Sequence, residues 1–259
     1  MMFHPFHMVD KSPWPFTSCV SSLTFMMSMI MMLHYNFSVM TFMSLSIIII
    51  SMYQWWRDIS REASFQGNHT SIVIWGLKLG MILFIISEIF FFISFFWAFF
   101  HSSLSPNIEI GSIWPPCNIS PFNPFEIPLL NTTILISSGI SISWSHHSLI
   151  NKNFNETFNS LLITIILGMI FTILQSWEYF QAQFSISDSI FGATFFLTTG
   201  FHGLHVIIGT TFLIVTLTRI MNNQLSSTHH FGFEAAAWYW HFVDVVWLFL
   251  FTFMYWWIF

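Results

Sequence analysis

The chain carries seven apolar segments, each long enough to cross a lipid bilayer, and hardly any charged residue interrupts them. A spanning helix needs about 20 mostly apolar residues. Inside a bilayer, backbone polar groups are satisfied only within helices or closed barrels, so the pattern predicts an all-α integral membrane protein. The helices are predicted at about residues 14–33, 39–56, 71–100, 129–149, 158–179, 189–220 and 231–259.

Composition supports this class and excludes others. Only 7% of the 259 residues are charged, whereas a soluble domain carries roughly 25%. The net charge is -5 and there are six basic residues. Such a chain has no basic patch for a nucleic-acid backbone, so no nucleic-acid partner is expected.

The segments are expected to form a single membrane domain over residues 1–259, with one long outer loop at 102–128. Trp114-Pro115-Pro116 and Asn123-Pro124 mark this loop as irregular structure. Cys19 and Cys117 show no pairing pattern and are expected to be ordinary buried thiols.

Charge placement gives the orientation. With seven spans, all the basic residues fall on one side of the membrane, and several acids fall on the other. The positive-inside rule therefore predicts an inner N-terminus and an outer C-terminus. The basic residues are Lys11, Arg57, Arg61, Lys78, Lys152 and Arg219, and the acids are Glu109, Glu126, Glu178 and Asp188.

Glu88 is the clearest polar residue at membrane depth. It lies ten residues beyond Lys78, which places it about 15 Å into the bilayer. No basic residue lies within a helical turn of it, so an isolated acid is expected. Charged groups at such depth are costly and mark functional sites. Two interpretations stay open, a proton-handling or lipid-contacting acid and a neutral carboxyl group hydrogen-bonded to a neighbouring helix.

Several histidines raise the question of a metal site. His202 and His205 share a helix face, so they either ligate a metal or pack where Gly200 and Gly203 allow close helix approach. The neighbouring pairs at 146–147 and 229–230 point about 100° apart on a helix and make poor chelates. No metal ligand is therefore predicted.

In the last span, His241 and Asp244 are also three residues apart. They are expected to form a buried polar pair, because pairing lets both groups be buried at low cost.

A cluster of aromatic and charged residues lies at the predicted inner membrane surface. Aromatic rings suit the headgroup level, and arginine grips a phosphate with paired hydrogen bonds. A bound phospholipid headgroup is one hypothesis, and an ordinary aromatic belt with snorkelling arginines is the other. The candidate lipid-binding residues are Tyr53, Trp56, Arg61, Glu62, Phe65, His69 and Arg219.

Motifs of soluble catalysis are absent from the sequence. It has no phosphate-binding glycine loop, no HExxH, no CxxCH and no dinucleotide fingerprint. No catalytic residue is predicted.

Many stretches together resemble the cytochrome c oxidase subunit III family, and they run from the first predicted helix to the last. The most specific is the final run, His229-His230-Phe231-Gly232-Phe233-Glu234 through Trp247-Leu248-Phe249. The others are residues 12–15, 53–58, 65–67, 85–88, 95–104, 114–116, 128–132, 146–149 and 199–206.

The resemblance implies seven helices, arranged as a two-helix and a five-helix bundle separated by a lipid-filled cleft. It implies a core subunit of respiratory complex IV in the mitochondrial inner membrane, with the N-terminus in the matrix and the C-terminus in the intermembrane space. The haem a and copper centres belong to partner subunits I and II, and this subunit carries no cofactor besides bound phospholipids. Nuclear-encoded accessory subunits are further implied partners.

The resemblance also assigns roles. The subunit stabilises subunit I and supports proton uptake during electron transfer from cytochrome c to oxygen. Glu88 matches the family's carbodiimide-reactive membrane acid, and the candidate lipid residues match positions near family lipid sites.

Two other functions are considered from the residues alone. One is a transporter or proton channel built around Glu88, His205 and Asp244, although no paired Gly/Pro breaks at mid-depth favour it. The other is a haem-binding electron carrier, which needs histidines at matching depth on facing helices; His205 has only His241 as an obvious deep partner.

Overall fold

A computed structural model describes residues 4–259, and within this range the chain is all-helical, with no β-strand. All seven long helices are apolar and long enough to cross a membrane, so the predicted multi-pass fold is confirmed. A short 3-10 helix, Ile108–Ile110, lies in the long loop, and the last helix ends in a π-helical segment, Phe251–Trp256. The α-helices are α1 (Trp14–Tyr35), α2 (Val39–Phe65), α3 (Ser71–Leu104), α4 (Ile127–Ile150), α5 (Phe154–Gln181), α6 (Ile190–Met221) and α7 (Phe231–Leu250).

The ends of the helices differ from the prediction. Helix α2 continues to Phe65 rather than stopping near residue 56. Its last part contains Asp58, Arg61 and Glu62. These residues lower the hydropathy without breaking the helix, so a search for apolar length ends too early.

The described residues divide into two compact units. The N-terminal unit is Met1–Leu77 and holds α1 and α2, and the C-terminal unit is Lys78–Phe259 and holds most of α3 and all of α4 to α7. The single membrane domain over residues 1–259 stays a prediction.

Small hydroxyl side chains lie between the two helices of the N-terminal unit. Ser28 and Ser44 are buried, and their hydroxyl oxygens are 3.1 Å apart. The hydroxyl of Thr41 donates to the Ser28 carbonyl oxygen at 3.2 Å. Small residues let membrane helices approach closely, and their hydroxyls add hydrogen bonds across the interface.

Large aromatic side chains form the core of the C-terminal unit. Trp240 and Trp247 are fully buried. The indole N–H of Trp240 donates to Ser138 at 2.8 Å, and that of Trp247 donates to Thr132 at 3.0 Å. Trp240 and Trp247 of α7 are thereby anchored to α4.

Glycine makes room for this core at two places. A Cβ at Gly168 would stand 2.7 Å from the Trp240 ring, and one at Gly209 would stand 2.9 Å from the same ring. Gly200 and Gly203 have nothing within 4 Å of such a Cβ. The close approach expected at those two glycines is therefore wrong, and it occurs at Gly168 and Gly209 instead.

The turn before α6 is fixed by two hydroxyl-bearing residues. The Ser189 side chain caps the helix by accepting hydrogen bonds from the backbone N–H groups of Phe191 and Gly192. The Asp188 carboxylate accepts from the backbone N–H and the hydroxyl of Ser185. These bonds hold the pKa of the Asp188 carboxyl below its ordinary value.

Both cysteines are exposed. Cys19 lies on α1 and Cys117 lies in the long loop, and neither forms a disulfide. The expectation that they are buried thiols is wrong. Residue type alone does not determine burial, which depends on the face of the helix or loop that the residue occupies.

Candidate functional site

Glu88 is paired with a histidine from another helix. Its Oε2 lies 2.9 Å from Nε2 of His205, which joins α3 to α6. The Glu88 side chain is 23% exposed and that of His205 is 11% exposed. Glu88 is therefore not isolated, and its hydrogen bond to a neighbouring helix agrees in this respect with the second of the two interpretations; the partner lies 117 residues away in sequence.

The second nitrogen of His205 shows which ring nitrogen must carry a hydrogen. Nδ1 lies 2.6 Å from the backbone carbonyl oxygen of Phe201. A carbonyl oxygen only accepts, so Nδ1 carries a hydrogen. The bond between Glu88 and Nε2 then needs one further proton, held by the carboxyl group or by the imidazole. The pair can therefore hold one proton in either of two places.

Aromatic rings surround this pair. The Phe92 ring meets the His205 ring edge-on, with centroids 5.0 Å apart. The Tyr239 ring stacks on the His205 ring, with centroids 6.2 Å apart. Glu88 and His205 thus sit together in an otherwise apolar environment, where a charge-assisted hydrogen bond is strong.

His202 turns away from His205. Its Nε2 donates to the Val243 carbonyl oxygen at 3.2 Å, and its ring contacts Phe171 and Trp247. The two histidines share a helix but take separate partners, so they do not form a two-histidine metal site.

The structure does not join His241 and Asp244 by a hydrogen bond. His241 Nε2 is 3.5 Å from the Ser143 hydroxyl, and His241 is exposed. Asp244 Oδ1 is buried and has no hydrogen-bond partner among the described residues. A Cβ at Gly139 would stand 2.7 Å from Asp244 Oδ2 and 3.7 Å from His241 Nδ1, so both side chains lie against α4 at this glycine.

Glu178 is a buried acid that the sequence analysis placed among the outer surface charges. It is 1% exposed, and neither of its carboxyl oxygens has a partner of standard hydrogen-bond geometry in the described part of the chain. Gln175 is also buried and donates to the Tyr255 hydroxyl at 3.4 Å. Gln175 lies three residues earlier on the same helix face. This spacing of two polar residues was the feature of the sequence that could have indicated a buried polar face at Glu178.

The candidate lipid residues of the N-terminal unit differ in how free they are. Tyr53, Trp56 and Phe65 are each more than 60% exposed. The Arg61 side chain is 57% exposed and 4.0 Å from Asp58. Exposed rings beside an accessible guanidinium form a surface suited to a phospholipid headgroup.

Two other members of that set are tied to His7. Glu62 pairs with His7 Nε2 at 2.7 Å, and the His69 ring lies edge-on to His7 at 5.6 Å. Glu62 and His69 therefore both contact His7 within the N-terminal unit. In the C-terminal unit, a Cβ at Gly232 would clash with Nη1 of Arg219, so that guanidinium lies against the start of α7.

An apolar groove of about 1030 Å³ runs between α3 and α7 in the C-terminal unit. Phe96, Phe100, Val245 and Phe249 are among the residues that line it, and His101 stands near one end. Its size and lining suit hydrocarbon chains.

A second polar cluster brings four residues together within the C-terminal unit. Lys78 Nζ is 2.6 Å from Glu234 Oε2, and His230 Nε2 is 3.4 Å from Glu234 Oε1. The His146 ring lies 5.5 Å from that of His230.

The fold and the site define a class: a helical multi-pass membrane protein with a hydrogen-bonded Glu–His pair between two of its helices. The chain matches the family model described as cytochrome c oxidase subunit III over residues 4–259. It therefore belongs to the cytochrome c oxidase subunit III family.

Similar proteins cover nearly the whole chain. The cytochrome c oxidase subunit 3 of Rhipicephalus sanguineus is 67% identical over 257 residues, which is 99% of this chain and 100% of that protein. The protein of the same name from Aedes aegypti is 59% identical over 254 residues, and that from Drosophila melanogaster is 59% identical over 255 residues. Each alignment covers 98% of this chain and 97% of the relative.

Proposed function

We propose that this chain is a core subunit of the respiratory cytochrome c oxidase of the mitochondrial inner membrane. In this proposal it carries no redox centre, and haem a and copper lie in subunits I and II. It stabilises subunit I and supports proton uptake while electrons pass from cytochrome c to oxygen. Family membership supports the assignment, and the Glu88–His205 pair supports the role in proton handling.

The pair supplies the chemistry that this role needs. A proton at mid-depth costs little if a carboxylate and an imidazole can share it, because one group neutralises the other. Movement of that proton between Glu88 and His205 changes no net charge in the apolar interior. The pair is therefore a proton-holding group that does not require a chain of charged residues.

Purification from mitochondrial membranes in mild detergent tests the assignment. A tagged chain is expected to co-purify with larger subunits that show haem a absorption, and its removal is expected to leave the haem behind. A chain that elutes alone and colourless would favour a transporter built around Glu88. One that elutes alone and coloured would show that its own histidines bind haem.

The substitution Glu88→Gln tests the proton-handling role in the purified complex. Glutamine keeps the size and hydrogen-bonding capacity but cannot hold the proton. Proton uptake per electron is expected to fall, with haem content unchanged. Glu109→Gln, in the exposed loop, is the matched control and is expected to behave as the unaltered complex. Equal loss in both variants would contradict the role of Glu88.

The orientation and the bound phospholipids belong to the same proposal. The distribution of basic residues supports a matrix N-terminus and an intermembrane-space C-terminus. The exposed surface of Tyr53, Trp56, Arg61 and Phe65 supports a headgroup site, and the groove between α3 and α7 supports acyl-chain binding.

Quantitative lipid analysis of the complex tests the headgroup site. The substitution Arg61→Gln is expected to reduce tightly bound phospholipid, because it removes the paired donors for phosphate. Lys152→Gln, an exposed basic residue in the loop between α4 and α5, is the control. Unchanged lipid content in the Arg61 variant would contradict the site.

A further inference from the structure

Three side chains in the C-terminal unit offer ligand atoms to one point. His146 lies near the end of α4, His230 directly precedes α7, and Glu234 lies in the first turn of α7. Their ligand atoms all lie within 4.8 Å of one another. The cluster shares no residue with the Glu88–His205 pair.

His230 is oriented in the way typical of a metal ligand. Its Nδ1 lies 3.0 Å from the Ser226 carbonyl oxygen, and a carbonyl only accepts, so Nδ1 carries the hydrogen. Metal-binding histidines are commonly held by such a bond from their other nitrogen. Nε2 of the neutral ring then presents a lone pair to Glu234.

The contact between His230 and Glu234 lacks a donor. Nε2 of His230 and Oε1 of Glu234 face each other at 3.4 Å. Both atoms are acceptors when the imidazole is neutral, so a cation between them removes the repulsion. That cation is either a proton on His230 or a metal ion.

The neighbouring groups favour a metal ion. His146 Nε2 is buried and has no hydrogen-bond partner in the described residues, so it too presents an unused nitrogen. Lys78 Nζ holds the other carboxylate oxygen, Glu234 Oε2, at 2.6 Å. The other oxygen, Oε1, faces His230 Nε2, and hydrogen-bonded neighbours commonly orient metal-binding carboxylates in this way.

We propose that His146, His230 and Glu234 bind one Zn²⁺ ion, with water in the fourth position. Two imidazole nitrogens and one carboxylate oxygen are a common ligand set for zinc. Ligand atoms about 2.0–2.1 Å from a tetrahedral zinc ion lie roughly 3.3 Å from one another. The contact between His230 and Glu234 already has about this length, at 3.4 Å, and the ligand atoms of all three residues lie within 4.8 Å of one another.

The ion links the end of α4 to the start of α7 at one end of the helix bundle, and the water-occupied fourth position leaves the site open. The proposal concerns residues of this chain only and does not rest on the proposed role in proton uptake. It departs from the expectation of no metal, because each neighbouring histidine pair was considered alone, whereas the site takes one histidine from each pair.

Anomalous X-ray scattering at the zinc absorption edge tests the site directly. Crystals of the purified complex are soaked in a zinc salt after treatment with a chelator. A peak between His146 Nε2, His230 Nε2 and Glu234 Oε1 is the expected result. Absence of a peak there, while zinc is seen elsewhere in the complex, would overturn the proposal and leave a protonated His230 as the cation.

Binding of radioactive zinc to the chelator-treated complex provides a second test. The substitution His146→Gln is expected to abolish one site or to weaken it by about 10-fold or more. His147→Gln is the matched control, since that neighbour is exposed and lies outside the cluster. Equal zinc binding by the two variants would overturn the proposal. If the His146 variant does not assemble, the scattering experiment on the unaltered complex still decides.

Discussion

The two units of the molecule bury different kinds of side chain. In the N-terminal unit, the buried residues of α1 and α2 are nearly all serine or threonine. In the C-terminal unit, the core contains fully buried tryptophan and phenylalanine, with Trp240 and Trp247 at its centre. In a bilayer, apolar burial alone drives little association between helices, so packing and hydrogen bonds must do so.

The difference shows what each unit can hold. Two helices joined by small hydroxyl groups leave most of their apolar surface facing outward. Five helices packed around rigid rings enclose space in which polar groups can be shielded from lipid. The Glu88–His205 pair, His202 and Glu178 are all found in that unit, because only an enclosed core can offset their desolvation.

The largest effect is expected from removal of a core tryptophan. Trp240→Ala deletes a fully buried ring and its hydrogen bond to Ser138. The free energy of unfolding is expected to fall by about 3–5 kcal/mol, measured by denaturant titration in detergent. Trp177→Ala is the control, since that side chain is 57% exposed and is expected to change stability by less than about 0.5 kcal/mol. Similar losses in both variants would remove the distinction between core and surface.

A smaller loss is expected where glycine admits the tryptophan ring. In Gly168→Ala, the new Cβ stands 2.7 Å from the Trp240 ring, and overpacking is expected to cost about 1–3 kcal/mol. Gly203→Ala has open space and is expected to stabilise α6 by up to about 1 kcal/mol. Thermal unfolding of the two variants checks the opposite signs, and a shared sign would contradict the packing described.

The N-terminal unit is expected to respond weakly to loss of one hydroxyl. Ser28→Ala removes the contact with Ser44 and is expected to cost about 0.6 kcal/mol, the average for hydrogen bonds between membrane helices. Ser22→Ala, on the exposed side of α1, provides the reference. A loss as large as that of the tryptophan variant would mean that hydroxyl bonds dominate this unit.

The smallest perturbation is thiol labelling, which contrasts an exposed cysteine on α1, Cys19, with one in the long loop, Cys117. A thiol reacts as its thiolate, which needs water. A membrane-impermeant maleimide is therefore expected to modify Cys117 from the intermembrane-space side and to leave Cys19 unmodified. Mass spectrometry of mitoplasts locates the label, and Cys117→Ser is the control. Labelling of Cys117 only from the matrix side would reverse the proposed orientation.

The number and class of the helices were predictable from sequence, because spanning length and low charge directly reflect the bilayer. The end of α2 was not, since Asp58 and Glu62 lower the hydropathy while the helix continues. Glu88 could also be singled out from sequence, because an acid among phenylalanine and isoleucine residues is conspicuous.

The partners of these residues were not predictable. His205 reaches Glu88 from a helix far along the chain, and no local spacing encodes that contact. Spacing of three residues suggested pairs within one helix, whereas His202, His205, His241 and Asp244 turn to other helices. Glu178 was missed because hydropathy places it at a helix end without showing which face is buried.

The central claim is that Glu88 and His205 act together on one proton. A double-mutant cycle with Glu88→Gln, His205→Gln and the double variant tests it through proton uptake per electron in the purified complex. If the pair acts as a unit, each single variant loses proton uptake. The double variant then takes up as many protons per electron as the more impaired of the two single variants. Losses that multiply in the double variant, or no loss in either single variant, would contradict the claim.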